Sequence, residues 1–205
     1  MSELRAFLEV GFRHIVNPEA VDHLLFLLAL AAIYRVRDWR DSLWVITAFT
    51  VGHSITLALA VTGVLALPAA WVEFLIPVTI VAAGLENVLV RDRARAPWGG
   101  GYRPVFAGVF GLVHGAGFAD YLRSLFVDDI AVPLLGFNLG IELGQIAVLL
   151  VAFVALAALD RLLARLPLPA GASGGGWGPF RLRVVTVSAA VTLVAARWAI
   201  VRSPW

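Results

Sequence analysis

The segment His14-Ile-Val-Asn17-Pro18-Glu19-Ala-Val-Asp22-His23-Leu-Leu-Phe-Leu-Leu-Ala-Leu30 sets an acid and an imidazole side by side at the mouth of an apolar run. Such groups cost on the order of 2–3 kcal/mol each at the centre of a lipid-embedded helix. The chain has four histidines, and each lies in or beside an apolar segment. A costly polar group placed repeatedly in apolar sequence marks a site. Asp22 and His23 are therefore read as the anchor of a polar, metal-binding centre inside a helical membrane protein.

Composition supports the membrane assignment. Of 205 residues, 60% are hydrophobic and 15% charged, with a mean hydropathy of +0.88. Soluble domains usually carry about 25% charged residues. The basic residues are all arginine, and a net charge of +2 gives no footprint for nucleic acid. There is no cysteine, and the single methionine is Met1. Any metal ligands are thus nitrogen and oxygen, which disfavours Cu(I) and suits Ni, Co, Zn or Mn. A basic stretch followed by an apolar leader is not evident at the start.

Working outward, Leu4, Phe7, Leu8, Phe12 and Ile15 recur at helical spacing, with Arg5, Glu9 and Arg13 on another side. Residues 1–17 therefore read as an amphipathic helix lying on the membrane surface. Asn17-Pro18-Glu19 has the chemistry of a helix start. From it a first span is expected over 18–36, with Glu19, Asp22 and His23 sharing a face. Further spans are expected over 42–63, 70–90, 104–126, 132–159 and 182–201. Residues 18–159 form a five-span metal-binding core. Residues 160–181 are a loop rich in Pro and Gly, and 182–205 carry the sixth span. The fold class is all-α, a polytopic bundle of about six transmembrane helices with an N-terminal amphipathic helix.

Arginine distribution sets the orientation. The 34–41, 91–103 and 160–183 loops hold three, four and four arginines. The 64–70 loop holds none, and the 120–131 loop has one against three acids. The arginine-rich loops are expected on the cytoplasmic side of a bacterial inner membrane, with both termini outside.

Polar groups on these spans form a ladder. His53 and Ser54 lie near the middle of the second span, beside Thr47 and Thr50. Glu86 and Asn87 lie near the end of the third, after a kink at Pro77. The fourth carries Gly111-Leu-Val-His114-Gly115-Ala-Gly117. The fifth carries Asn138, Glu142 and Gln145, with Gly136, Gly140 and Gly144 on roughly the opposite face. Blander readings stand beside each. Glu19 can cap a helix. A lone mid-span histidine can bond a neighbouring helix, and so can Asn138 with Glu142. Glu86 can snorkel or pair with Arg91 or Arg93. The glycine stripe reads as packing. Phe49-x3-His53 and Phe110-x3-His114 match on spans of the same direction, a short internal similarity. Haem ranks below a simple ion, because each histidine is on a different segment. A hydrolase using Ser54 lacks a nucleophile elbow.

Four of these motifs together resemble the HupE/UreJ family over residues 11–150: His14…Asp22-His23-Leu-Leu-Phe, Phe49-Thr-Val-Gly-His53-Ser54, Phe110-Gly-Leu-Val-His114-Gly-Ala-Gly and Phe137-Asn138-Leu-Gly-Ile-Glu142-Leu-Gly-Gln145. The first two are also similar to motifs of the wider nickel/cobalt permeases, although the gap from His14 to Asp22 is longer and contains Pro18. The resemblance implies a permease, not an enzyme, for a divalent transition metal, with Ni²⁺ or Co²⁺ favoured and Zn²⁺ or Mn²⁺ open. It places His14, Asp22, His23, His53 and His114 on the family's polar positions, and Asn138 and Glu142 on a later one. The expected metal ligands are His14, Asp22, His23, His53, His114 and Glu142. Asn138, Glu86, Asn87, Ser54 and Gln145 support them or line the path. The expected partners are the lipid bilayer and the metal ion, and a second copy of the chain is compatible with this reading. An intramembrane metal-dependent hydrolase, or a metal-binding or assembly protein without transport, are the alternative classes.

Overall fold

In the computed structural model, residues 2–90, 101–125, 130–165 and 178–205 are described, and among them the chain is all helix and turn. In chain order the helices are α1 (Glu3–Val16), α2 (Val21–Ala32), α3 (Trp39–Val61), α4 (Ala69–Leu89), α5 (Tyr102–Gly115), α6 (Ala119–Leu125), α7 (Ala131–Leu163) and α8 (Pro179–Val201). Short 3₁₀ turns precede α3 at Val36–Asp38 and join α5 to α6 at Ala116–Phe118. Four stretches are long and apolar enough to cross a membrane: Val36–Val61, Ala69–Leu89, Ala131–Leu163 and Pro179–Val201. These match the expected second, third, fifth and sixth spans to within a few residues, or, for Val36–Val61 at its start, about six.

The other two expected spans are not straight. Of the first, expected over 18–36, only the short α2 is α-helical; it is long enough to span only together with α1, and the two are bent by 71° at the break between them. Asn17 does not start a helix at Pro18. It ends α1, its amide donating to the Arg13 carbonyl, and its side-chain oxygen accepts the Glu19 amide at 3.0 Å. That side chain closes a turn of the kind Asn favours, and α2 begins at Val21. The fourth expected span is interrupted immediately after His114-Gly115, where α5 gives way to the 3₁₀ turn and then to α6. Arg123 of α6 donates to the carbonyls of Ala60 and Val61 at the end of α3, a good place for a cation. Gly63, at φ +76°, turns the chain away from that end.

Glycine sets the packing. Leu4, Leu8 and Phe12 of α1 lie against Gly136, Gly140 and Gly144 of α7 in the same order, so the two helices run side by side in one direction. A Cβ on Gly140 would collide with the Leu8 carbonyl, and one on Gly11 with the Phe137 carbonyl. The amphipathic face of α1 is thus turned to α7, with Gly11 and Ile15 buried. The same device joins α3 to α5. Gly52 meets Gly108, and Gly111 meets the Phe49 carbonyl. Small residues at helix contacts let backbones approach, which is where packing energy comes from when lipid is as apolar as the side chains. α4 and α8 run in opposite directions, with Gly84 against Ser188 and Thr192, and Phe74 against Trp205. α2 sits among α4, α7 and α8. Seven of its residues, from His23 to Ala32, are buried.

Candidate functional site: histidines gathered at two helix breaks

The two broken helices meet at the histidines. His14 is at the end of α1, and His23 is in the first turn of α2. His114 is the penultimate residue of α5. Their rings form a chain, with centroids 4.6 Å apart for His14 and His23 and 5.8 Å apart for His23 and His114. His53, from the middle of α3, is joined to them through Phe137, whose ring lies 6.5 Å from His53 and 5.7 Å from His14. The glycines of the Gly111-x-x-His114-Gly115 motif explain the fourth ring's proximity. A Cβ on Gly115 would strike the His53 carbonyl, so only glycine lets α5 bring His114 this close to α3.

Aromatic rings wall the cluster. Phe118 and Phe137 stack at 5.2 Å beside His14. Phe137 also reaches His53, while Phe26 and Phe49 pack against His114. The site is nearly closed to bulk solvent: His53 is 0% exposed, His114 3% and His23 8%.

Inside it, five imidazole nitrogens are buried without a hydrogen-bond partner: His14 Nε2, His23 Nε2, both nitrogens of His53, and His114 Nδ1. A buried polar atom left unpaired costs about 1–3 kcal/mol, and native folds rarely carry several together. These atoms have the chemistry of ligands for Ni²⁺, Co²⁺ or Zn²⁺. Among the described residues no three His, Asp or Glu side chains already converge on one point. The rings are gathered but not closed on an ion.

The remaining expected site residues fall into three places. Asp22 faces its neighbour: its carboxylate accepts from His23 Nδ1 at 3.1 Å and from the His23 amide at 2.9 Å. This is the arrangement by which a carboxylate orients a metal-binding histidine from behind. Glu19 lies exposed in the turn before α2. Glu142 and Gln145 are on the seam between α7 and α3. They accept from the hydroxyls of Thr47 and Thr50 at 2.5 and 3.0 Å, and Asn138 lies one turn away on the same helix. Ser54 donates to the Thr50 carbonyl of its own helix at 2.6 Å. Apart from Asp22, none of these makes a ring contact or hydrogen bond with the four histidines among the described residues.

Glu86 and Asn87 belong to a second polar cluster, where α4 ends and α5 begins. Arg103 pairs with Glu86 and also donates to the Asn87 side-chain oxygen, and the Tyr102 hydroxyl donates to Glu86. Asn87 donates to the Ala29 carbonyl of α2 at 2.6 Å and to Ser188 of α8 at 3.1 Å. Arg91 and Arg93, the partners considered for Glu86, lie outside the described residues. Arg103 counts as a loop charge in the sequence but is 6% exposed. Thr79 of α4 also reaches the histidine cluster. Its hydroxyl is 2.7 Å from the Ile76 carbonyl and 3.0 Å from His114 Nε2. A hydroxyl in an apolar helix carries no signal of its own in a single sequence.

Comparison with known proteins agrees with this picture at the level of the family. No curated protein and no solved structure matches the chain. The family model described as HupE / UreJ protein matches residues 1–202, essentially its whole length. The chain belongs to the HupE/UreJ family of membrane proteins.

Proposed function

We propose that the protein is a permease whose cargo is a divalent transition-metal ion, Ni²⁺ or Co²⁺ before Zn²⁺ or Mn²⁺, held in transit by His14, His23, His53 and His114. One observation carries this reading: five unpartnered imidazole nitrogens are buried together where two membrane helices are broken. Broken helices at mid-bundle are how carriers build a site that can also move, because each half-helix can shift without unravelling the other. The family supports a role connected with metal transport.

The geometry suggests the working parts. Asp22 keeps the proton of His23 on Nδ1 and leaves Nε2 free to bind. His53, with both nitrogens unpartnered, is the ring most able to turn toward an ion. Since the rings do not yet converge, loading and ring rotation are one event, suited to a cargo that must leave again. With both termini outside a bacterial inner membrane, the site is entered from the α1 side. The Glu86–Arg103 cluster then lies between the site and the cytoplasm. Bound imidazoles must be neutral, so protonation of the rings competes with the ion and binding weakens in acid. Ser54 gives no support to a hydrolase, its hydroxyl being engaged by its own helix.

The test is the metal content of purified protein after exposure to equimolar Ni, Co, Zn and Mn, for wild type, His23→Ala and His53→Ala. Uptake into proteoliposomes follows for the metal retained. Retention in wild type, loss in both variants and saturable uptake are expected. Retention that is the same in all three proteins would remove the histidines from the site. Binding without flux would leave a metal-binding protein rather than a permease.

A further inference from the structure

Thr79 stands behind His114 as Asp22 stands behind His23, but it does so from another helix. It is 7% exposed, and its oxygen lies within hydrogen-bond distance of two atoms, the Ile76 carbonyl at 2.7 Å and His114 Nε2 at 3.0 Å. A hydroxyl has one hydrogen and a carbonyl has none. With both bonds made, the hydrogen of Thr79 goes to Ile76, and Thr79 must accept from His114. Nε2 of His114 therefore carries the ring's proton. In a neutral ring this leaves the lone pair on Nδ1, the atom that is buried and without a partner.

We infer that Thr79 is a positioning residue that fixes His114 as the Nε2–H tautomer and so makes Nδ1 its metal-binding atom. The inference rests on reading His114 as a ligand of the transported ion. Its consequence is specific. Of two rings 5.8 Å apart, His23 presents Nε2 and His114 presents Nδ1, because their supports hold opposite nitrogens. A binding nitrogen's identity is set by the bond that the other nitrogen makes. Ile76 matters as much as Thr79, since its carbonyl takes the hydroxyl hydrogen that would otherwise be free to point at the ring.

The experiment uses the full chain in nanodiscs with ¹⁵N-labelled histidine, as wild type, Thr79→Ser and Thr79→Val. With four histidines the spectrum is simple, and the His114 signals are assigned by their loss in His114→Gln. Wild type and Thr79→Ser should show His114 protonated at Nε2. Thr79→Val, which keeps the volume and removes both bonds, should show a mixture of tautomers. Ni²⁺ affinity should fall about 10–100-fold in Thr79→Val, the usual effect of losing a ligand's support, and recover in Thr79→Ser. Wild-type His114 protonated at Nδ1 would overturn the inference, as would a Thr79→Val protein with unchanged tautomer and affinity. If wild type binds none of Ni²⁺, Co²⁺, Zn²⁺ and Mn²⁺, the permease reading fails separately, while the spectrum still decides what Thr79 does.

Discussion

Two of the polar clusters among the described residues are built by opposite rules. At the end of α4, nearly every polar atom has a protein partner. Glu86 is held by Arg103 and Tyr102, and Asn87 by Ala29, Ser188 and Arg103. One guanidinium nitrogen, Arg103 Nη1, is left over, beside a cavity with room for about one water. At the helix breaks the reverse holds. Four imidazoles are brought together with five nitrogens unfilled. A satisfied cluster joins helices: Asn87 alone connects α4 to α2, α5 and α8. An unsatisfied one is held together by the rest of the fold and has valence to give to something else. On the proposed reading the contrast separates a structural device from a functional one, although both consist of costly groups in an apolar setting.

The sharpest way to break that contrast is to remove one member from each cluster and measure both stability and metal binding. Arg103→Ala leaves Glu86 buried without its cation, and losing one partner of a buried pair costs about 3–5 kcal/mol. Its unfolding midpoint in detergent should drop well below that of wild type, while the fraction that stays folded keeps its metal affinity. A stable Arg103→Ala protein that no longer binds metal would reverse the roles given to the two clusters. His53→Ala should shift the balance the other way. It removes a ring whose two nitrogens have no hydrogen-bond partner, so the cavity it leaves is offset by the loss of two unpaired buried atoms, and stability should fall less than in Arg103→Ala. Ni²⁺ affinity measured by calorimetry should fall at least ~100-fold, about 2.7 kcal/mol.

A third change tests whether the glycines assemble the site. Gly115→Ala puts a methyl group into the His53 carbonyl. Forcing α5 from α3 should cost about 1–3 kcal/mol of stability and weaken metal binding with it, a coupling that neither change above should show. The smallest effect is expected for Asp22→Asn. The amide can still accept from His23 Nδ1, but without charge, so affinity should fall about 10-fold and Asp22→Ala should lose more. Wild-type affinity in both Asp22 variants would show that the carboxylate does nothing for the metal.

The sequence revealed the clusters unevenly. Four spans follow from hydropathy, because a long apolar stretch has one low-energy solution in lipid. The histidines stood out by the same logic, since an imidazole in apolar sequence is conspicuous by its cost. The breaks were harder to see. Asn17-Pro18-Glu19 carries the signals of a helix start, and only the folded chain shows Asn17 closing a turn and α2 starting four residues later. Gly115-Ala-Gly117 permits both a continuous helix and an interruption. Arg103 reads as a loop charge because a count of arginines records where a residue falls along the chain and not which carboxylate it meets.

What the sequence by itself determined is the class of the protein and the positions of its expensive groups: a helical membrane bundle, no thiols, four histidines in apolar segments. These are properties of residues and their near neighbours, and the bilayer penalises them the same way in any fold. What only the tertiary structure decided is who meets whom. It brought His14, His23, His53 and His114 together, turned Asp22 to the back of His23, put Thr79 behind His114, gave Glu142 to Thr47, and closed Glu86 with Arg103. The physical reason is that sequence spacing fixes the face of a helix on which a group lies. The partner is chosen by the rotation and approach of the neighbouring helix, which here depend on contacts at Gly52, Gly115 and Gly140 far apart along the chain.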